Sequence, residues 1–271
     1  MNEKRYYSQR QGIINPLDIK DLRVAFKSVY ENFSSKYYFI KFLGNGVLSE
    51  DGIIGNSFEA FCMRELNRSI KRPSMAMFYT EDDLFDVIEL LHEHINYPLV
   101  VTRSDVWSSD EISSIPEKKD IAQKQFRDEI NVYLRQYLSG WELAEEGFIR
   151  NTLEESFVDL VDNTAVYGDE VNIDAKIRRA KELYLKRGSS MEDKKAAVRE
   201  IGDALEFMRT DLKQVIGKDE ADIFNILNNF GIRHNNASQR TDFDNEIYLP
   251  WMFYIFLSTF DAYVKIENKK L

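Results

Sequence analysis

What most limits the fold of this chain is a run of apolar residues between Val198 and Val215. Val198, Ile201, Leu205, Met208, Leu212 and Val215 alternate spacings of three and four over five turns. Only an α-helix brings residues at that spacing onto one face; a half-buried strand alternates by two. Similar stripes flank it. Ile173, Ile177, Ala180 and Tyr184 form one, ended by Gly188, and Ile223, Leu227 and Phe230 form another behind Asp219. Ser189-Ser190-Met191-Glu192 reads as a capping box ahead of the long stripe, and Gly217 fits its C-cap. A last apolar helix begins near Ile247. Four helices with short connections predict an antiparallel four-helix bundle over residues 170–271.

The first 155 residues predict a separate, mostly helical domain. Ile19, Leu22, Phe26, Val29 and Phe33 mark one helix. Four of the twelve glycines (Gly44, Gly46, Gly52, Gly55) read as a loop, and Ser57 as the N-cap of a helix reaching about Ile70, closed by Lys71-Arg72-Pro73. Thr80 caps the next helix, with Glu81, Asp82 and Asp83 in the first turn, where the helix dipole favours negative charge. Leu99-Val100-Val101-Thr102 is either a short strand or an extended linker, and residues 104–118 an exposed loop. A helix from Asp120 to about Leu138 follows, with Ile121, Phe126, Ile130, Leu134 and Leu138 on its apolar side. Two short apolar segments around Glu145-Glu146-Gly147 predict a small β-hairpin. Residues 152–170 are acidic and weakly periodic, and Asn163, Gly168 and Asp169 mark the domain boundary.

Composition narrows the functional classes. The 18 Phe and 14 Tyr argue for a folded chain, since disorder goes with few aromatics. A net charge of −10 argues against non-specific binding of nucleic acid over the whole surface, though not against a local basic groove. Cys62 is the one cysteine, which excludes an intrachain disulfide, suits a reducing cytoplasm and reads as core filling. The N-terminus lacks a signal-peptide h-region, and no segment has the roughly 20 apolar residues of a membrane helix; Pro250, Asp261 and Lys265 break the longest. The expected location is the cytoplasm, with no membrane partner.

Chemistry concentrates in the polar segment between the third and fourth C-terminal helices. It contains Arg233, His234, Asn235, Asn236, Gln239 and Asp242, with one of only three histidines. A guanidinium stabilises charge developing on a phosphate, and an imidazole moves a proton near neutral pH. The plainer alternative is that Arg233 caps the preceding helix while the Asn and Asp residues shape a turn. Between Lys176 and Arg199 the charge sign reverses locally, with Lys176, Arg178, Arg179, Lys181, Lys186, Arg187, Lys194 and Lys195 in the run. That face either attracts an RNA backbone or is simply solvated. His92 and His94, two apart on a helix, point in different directions; they are a poor metal pair and read as cations at a helix C-terminus. No Ser/His/Asp arrangement, paired carboxylates or metal cluster appears, so neither cofactor nor metal is expected.

The pattern Asn228-Asn229-Phe230-Gly231-Ile232-Arg233-His234-Asn235, then Gln239-Arg240-Thr241-Asp242, then Trp251-Met252-Phe253-Tyr254, resembles the C-terminal part of abortive-infection proteins of the AbiJ type. Asp82-Asp83-Leu84-Phe85-Asp86-Val87-Ile88-Glu89-Leu90, Gln125-Phe126-Arg127-Asp128-Glu129-Ile130-Asn131 and Gly140-Trp141-Glu142-Leu143 are similar to that family's N-terminal domain. The resemblance implies an HEPN-like bundle, usually dimeric, in a superfamily rich in metal-independent ribonucleases of phage defence. It further implies an RNA substrate, a phage-derived trigger, and an N-terminal domain that senses infection, restrains the nuclease or recruits substrate. In catalytic members an Arg is followed by a polar residue and, several residues on, a His. Arg233 matches the Arg and His234 the polar position, while Ser238 and Gln239 stand where the distal His is expected. Arg233 and His234 are therefore the catalytic candidates. Asn235, Asn236, Gln239, Asp242, Lys176 and Arg179 are candidates for binding substrate or shaping the site. The resemblance favours an endoribonuclease in which His234 takes over proton transfer, with a non-catalytic module for dimerisation, RNA binding or partner binding as the alternative; a regulatory partner or antitoxin is a third class, which would require a neighbouring toxin gene.

Overall fold

The chain is mainly helical, with one small antiparallel hairpin, among the residues that the computed structural model describes: 6–7, 15–44, 52–55, 57–98, 118–138, 140–153, 155–230 and 243–269. Its contacts divide it into two units, Met1–Thr152 and Leu153–Leu271, each with its own apolar core. The predicted segment 99–102 and nearly all of the predicted loop 104–118 lie outside the described residues.

In the N-terminal unit, α1 (Ile19–Ser35) starts at Asp18, whose carboxylate accepts from the Lys20 and Asp21 amides, and it buries Leu22, Phe26, Val29 and Phe33 as their spacing predicts. The single turn α2 (Ile40–Leu43) follows. Ser57 caps α3 (Phe58–Leu66) by accepting from the Ala60 amide. That helix stops four residues before Ile70, because Asn67 adopts a left-handed conformation (φ 54°), a common helix terminator. A 3-10 segment, Pro73–Phe78, leads to α4 (Glu81–His94), opened by a reciprocal Thr80–Asp83 capping box.

α5 (Lys119–Leu134) buries Ala122, Phe126, Ile130, Asn131 and Leu134. Two residues expected on its apolar side are exposed, Ile121 at 47% and Leu138 at 57%. The buried face follows a strict spacing of four from Ala122, which turns Ile121 outward. Leu138 lies past the helix end, in a left-handed conformation with φ 49°. Phe33 and Phe39 each meet Phe126 edge-on, at 5.4 and 5.9 Å. Such pairs contribute about 0.5–1.5 kcal/mol each beyond their buried area.

The hairpin consists of β1 (Trp141–Leu143) and β2 (Ile149–Asn151). Asn131 ties it to α5: its side chain donates to the Leu143 carbonyl at 3.0 Å and accepts from the Leu143 amide at 2.7 Å.

The C-terminal unit holds α6 (Glu155–Asp162), a π-helical turn Glu170–Asp174, α7 (Ala175–Leu185), α8 (Met191–Phe207), α9 (Arg209–Ile216), α10 (Asp219–Asn229) and α11 (Asn245–Asn268). The predicted stripe is buried from Val198 to Leu212, with Val215 packed partly buried against the core. The backbone beneath it, however, is not one helix. Met208 (φ −90°, ψ 4°) separates α8 from α9. The break sets α9 against α10, where the Arg209 guanidinium binds the buried Glu220 and lies 4.3 Å over the Phe224 ring. The capping box sits one residue later than predicted, between Ser190 and Asp193.

α8 packs against both α7 and α11. Gly202 brings α8 close to α10: a Cβ there would stand 2.7 Å from a Leu227 methyl. Tyr184 of α7 stacks on Phe253 of α11 at 3.9 Å. The weakly periodic segment 152–170 is bound into this unit. Val161 is fully buried, Phe157 stacks on Tyr254, and Asp261 accepts from the Ala165 amide.

Candidate functional site

α10 is followed by Phe230 and α11 is preceded by Phe243, and these two rings meet edge-on at 5.2 Å. Tyr248 packs against both, at 5.3 and 5.8 Å, and Trp251 lies 6.2 Å from Phe230 and from Tyr248. Asp244 starts α11 by accepting from the Glu246 amide. The two flanks of the 12-residue stretch 231–242 are thereby held side by side. Phe230 was legible as a core position; the anchoring role of Phe243 and Tyr248 was not. Its signal is an aromatic residue immediately on each side of a polar segment.

Arg233, His234, Asn235, Asn236, Gln239 and Asp242 lie outside the described residues. Lys176 and Arg179, the other two candidates, come together on α7 around one carboxylate. Glu200 of α8 lies 3.7 Å from the Lys176 ammonium and 3.6 Å from the Arg179 guanidinium. Other cations of the run are also engaged. Arg178 donates to Glu170, Lys195 pairs with Glu192, Lys194 lies over the Tyr184 ring, and the buried Lys181 donates to the Val161 carbonyl at 2.8 Å. The carboxylates of Glu200, Glu170 and Glu192 offset part of the local positive charge. A separate recess of about 490 Å³ in this unit is lined by Tyr167, Asp169, Asp211, Tyr263 and Glu267. Its carboxylates oppose a phosphate backbone.

The histidines of α4 are not helix-terminal cations. His92 is only 3% exposed, its ring lies against Gly147, and its Nε2 is buried with no hydrogen-bond partner among the described residues. Burial, with Arg127 and Lys119 nearby, depresses its pKa to about 4. Burial likewise lowers His94, which stacks on Phe42 at 4.4 Å. Both imidazoles are neutral at pH 7. A histidine protonated only in the unfolded chain favours unfolding, so stability falls as pH drops from about 6.5 to 4. The loss from His92 is about 3 kcal/mol. Chemical denaturation of wild type and His92→Gln across that range checks this. The variant should lose this part of the pH dependence, and parallel profiles would contradict the assignment.

Cys62 is fully buried and burial pushes its thiol up to about 11, as expected of core filling rather than a nucleophile. Among the described residues, no group of three or more His, Cys, Asp or Glu side chains is placed to hold a metal ion. No helix among them is long and apolar enough to cross a membrane. No protein-family model matches the chain, and no match was found among curated proteins or solved structures.

Proposed function

We propose that this is an anti-phage abortive-infection protein whose C-terminal unit is an HEPN-like antiparallel four-helix bundle, acting as a metal-independent endoribonuclease in a homodimer. The packing of α8 on α7, α10 and α11 supports the bundle. The observation that carries the site is the aromatic cluster of Phe230, Phe243, Tyr248 and Trp251, which holds both flanks of the segment bearing Arg233 and His234. In the reaction, the ribose 2′-oxygen bonds to the adjacent phosphorus and the bond to the 5′-oxygen breaks. Arg233 offsets the charge that builds on the phosphate, and His234 moves the proton that leaves the 2′-hydroxyl or reaches the departing oxygen. The N-terminal unit responds to a phage-derived trigger and controls this activity.

A second reading, a non-catalytic module for dimerisation or for RNA or partner binding, has two observations in its favour. Ser238 and Gln239 stand where a distal His is expected, and Glu200 sits between Lys176 and Arg179. An assay of total RNA and tRNA with EDTA present separates the readings. Cutting by wild type that is lost in His234→Ala supports the nuclease and gives His234 the proton transfer. Binding without cutting, both in vitro and in extracts of phage-infected cells, supports the module.

A further inference from the structure

The N-terminal unit contains a polar cavity of about 130 Å³, lined in part by Tyr30, Ser34, Tyr37, Arg72 and Ser74. For scale, an apolar cavity of about 150 Å³ holds a benzene ring, so a phosphate group fits this volume. Among the described residues that line it, Arg72 is the one cation. Elsewhere in this unit Arg64, Arg68, Arg127 and Arg135 pair with carboxylates. The Arg72 side chain makes no hydrogen bond or ion pair among the described residues, although the chain as a whole carries a net charge of −10.

The backbone that presents Arg72 is held on both sides. A residue before proline is confined to extended geometry, and Arg72 has φ −55° and ψ 149° ahead of the buried Pro73. The Tyr79 hydroxyl donates to the Lys71 carbonyl at 2.5 Å, and the Met75 amide to the Arg72 carbonyl at 2.8 Å. Opposite lies the C-terminus of α1. The Tyr37 amide donates to the Ser34 carbonyl and the Tyr38 amide to the Phe33 carbonyl, an ending that requires a left-handed residue and normally takes glycine. Here that residue is Tyr37, with φ 65°. A strained tyrosine where glycine would be easier, placed in the wall of a cavity, is a feature that folding alone does not call for. Tyr30 faces Arg72 from α1, its phenol raised by burial with the Ser34 hydroxyl and Arg72 acting against the rise.

We propose that this cavity binds the phosphate group of a small phosphate-bearing molecule, with Arg72 as a two-pronged donor and the hydroxyls of Ser34, Tyr37 and Ser74 completing the contacts. A guanidinium matches two phosphate oxygens at once, and hydroxyl donors from separate elements suit a tetrahedral anion better than a planar carboxylate. The proposal rests on the N-terminal unit alone and is independent of the nuclease reading.

Titration calorimetry on the full chain tests it, with inorganic phosphate, pyrophosphate and citrate as probes at matched ionic strength. Wild type should bind phosphate or pyrophosphate saturably, with a dissociation constant on the order of 1 mM or tighter. Arg72→Gln should weaken this at least about tenfold, and Arg72→Lys less, because lysine keeps the charge but not the fork. Tyr37→Gly should raise the melting temperature by relieving the left-handed strain while weakening binding, which separates a ligand contact from a fold contact. No saturable phosphate or pyrophosphate binding up to about 10 mM, equal binding by Arg72→Gln, or binding of citrate alone would each overturn the proposal.

Discussion

If the proposed nuclease reading holds, Arg233→Ala is expected to lower metal-independent RNA cleavage by about 10²–10³-fold, the usual cost of removing one donor aimed at transition-state charge. The reason is electrostatic. When the 2′-oxygen attacks, the phosphate gains negative charge that a guanidinium accommodates with two parallel hydrogen bonds, and alanine leaves to water. Arg233→Lys should recover only part of the rate, since an ammonium supplies charge without the fork. Circular dichroism on each variant, beside the cleavage rate, separates a lost site from a lost fold. A folded Arg233→Ala protein that cuts at the wild-type rate would remove Arg233 from the mechanism.

The largest effect on stability should come from Glu142. It lies on β1 directly opposite Arg150 on β2, and the two residues are only 6% and 3% exposed. One carboxylate oxygen accepts from the Arg150 Nε at 2.9 Å and pairs with its Nη2 at 2.8 Å; the other accepts from the Arg135 Nη2 at 2.9 Å. Removing Glu142 takes its countercharge away from the buried Arg150 guanidinium, and breaking a buried pair in this way costs about 3–5 kcal/mol. In a unit of this size Glu142→Leu should lower the melting temperature by about 10 °C. Adding Arg150→Met should recover much of the loss, because two apolar side chains need no compensating charge. A single-variant cost under about 1 kcal/mol would show that water reaches the Arg150 guanidinium.

Several local rules were legible where one turn of chain contains both partners, although the capping box of α8 fell one residue later than read, at Ser190 and Asp193. The Thr80 cap, the Ser57 cap, the Gly217 ending and the α1 stripe each involve residues within four positions, so neighbouring side chains suffice to specify them. The hairpin was visible for the same reason. The exceptions mark where distant partners enter. The long stripe predicts one helix, but Arg209 finds Glu220 and Phe224 on α10, and the chain breaks at Met208. His92 and His94 sit at the expected helix end, yet burial against other elements removes the charge expected of them.

The candidate site divides in the same way. Its chemical residues, Arg233 and His234, are read from the sequence, as is the basic run around Lys176 and Arg179. The sequence by itself determined the helical class, the Thr80 and Ser57 caps, the hairpin and where the candidate side chains fall along the chain, because the first three depend on contacts within a few residues. Only the tertiary structure decided that Phe230 and Phe243 meet, that Glu200 sits between Lys176 and Arg179, that Glu142 is buried between two arginines, and that Arg72 opens onto a cavity with no acidic partner among the described residues. Each of these joins residues more than ten positions apart or depends on burial, and charge, solvent access and ring packing are then set by elements that no local pattern specifies.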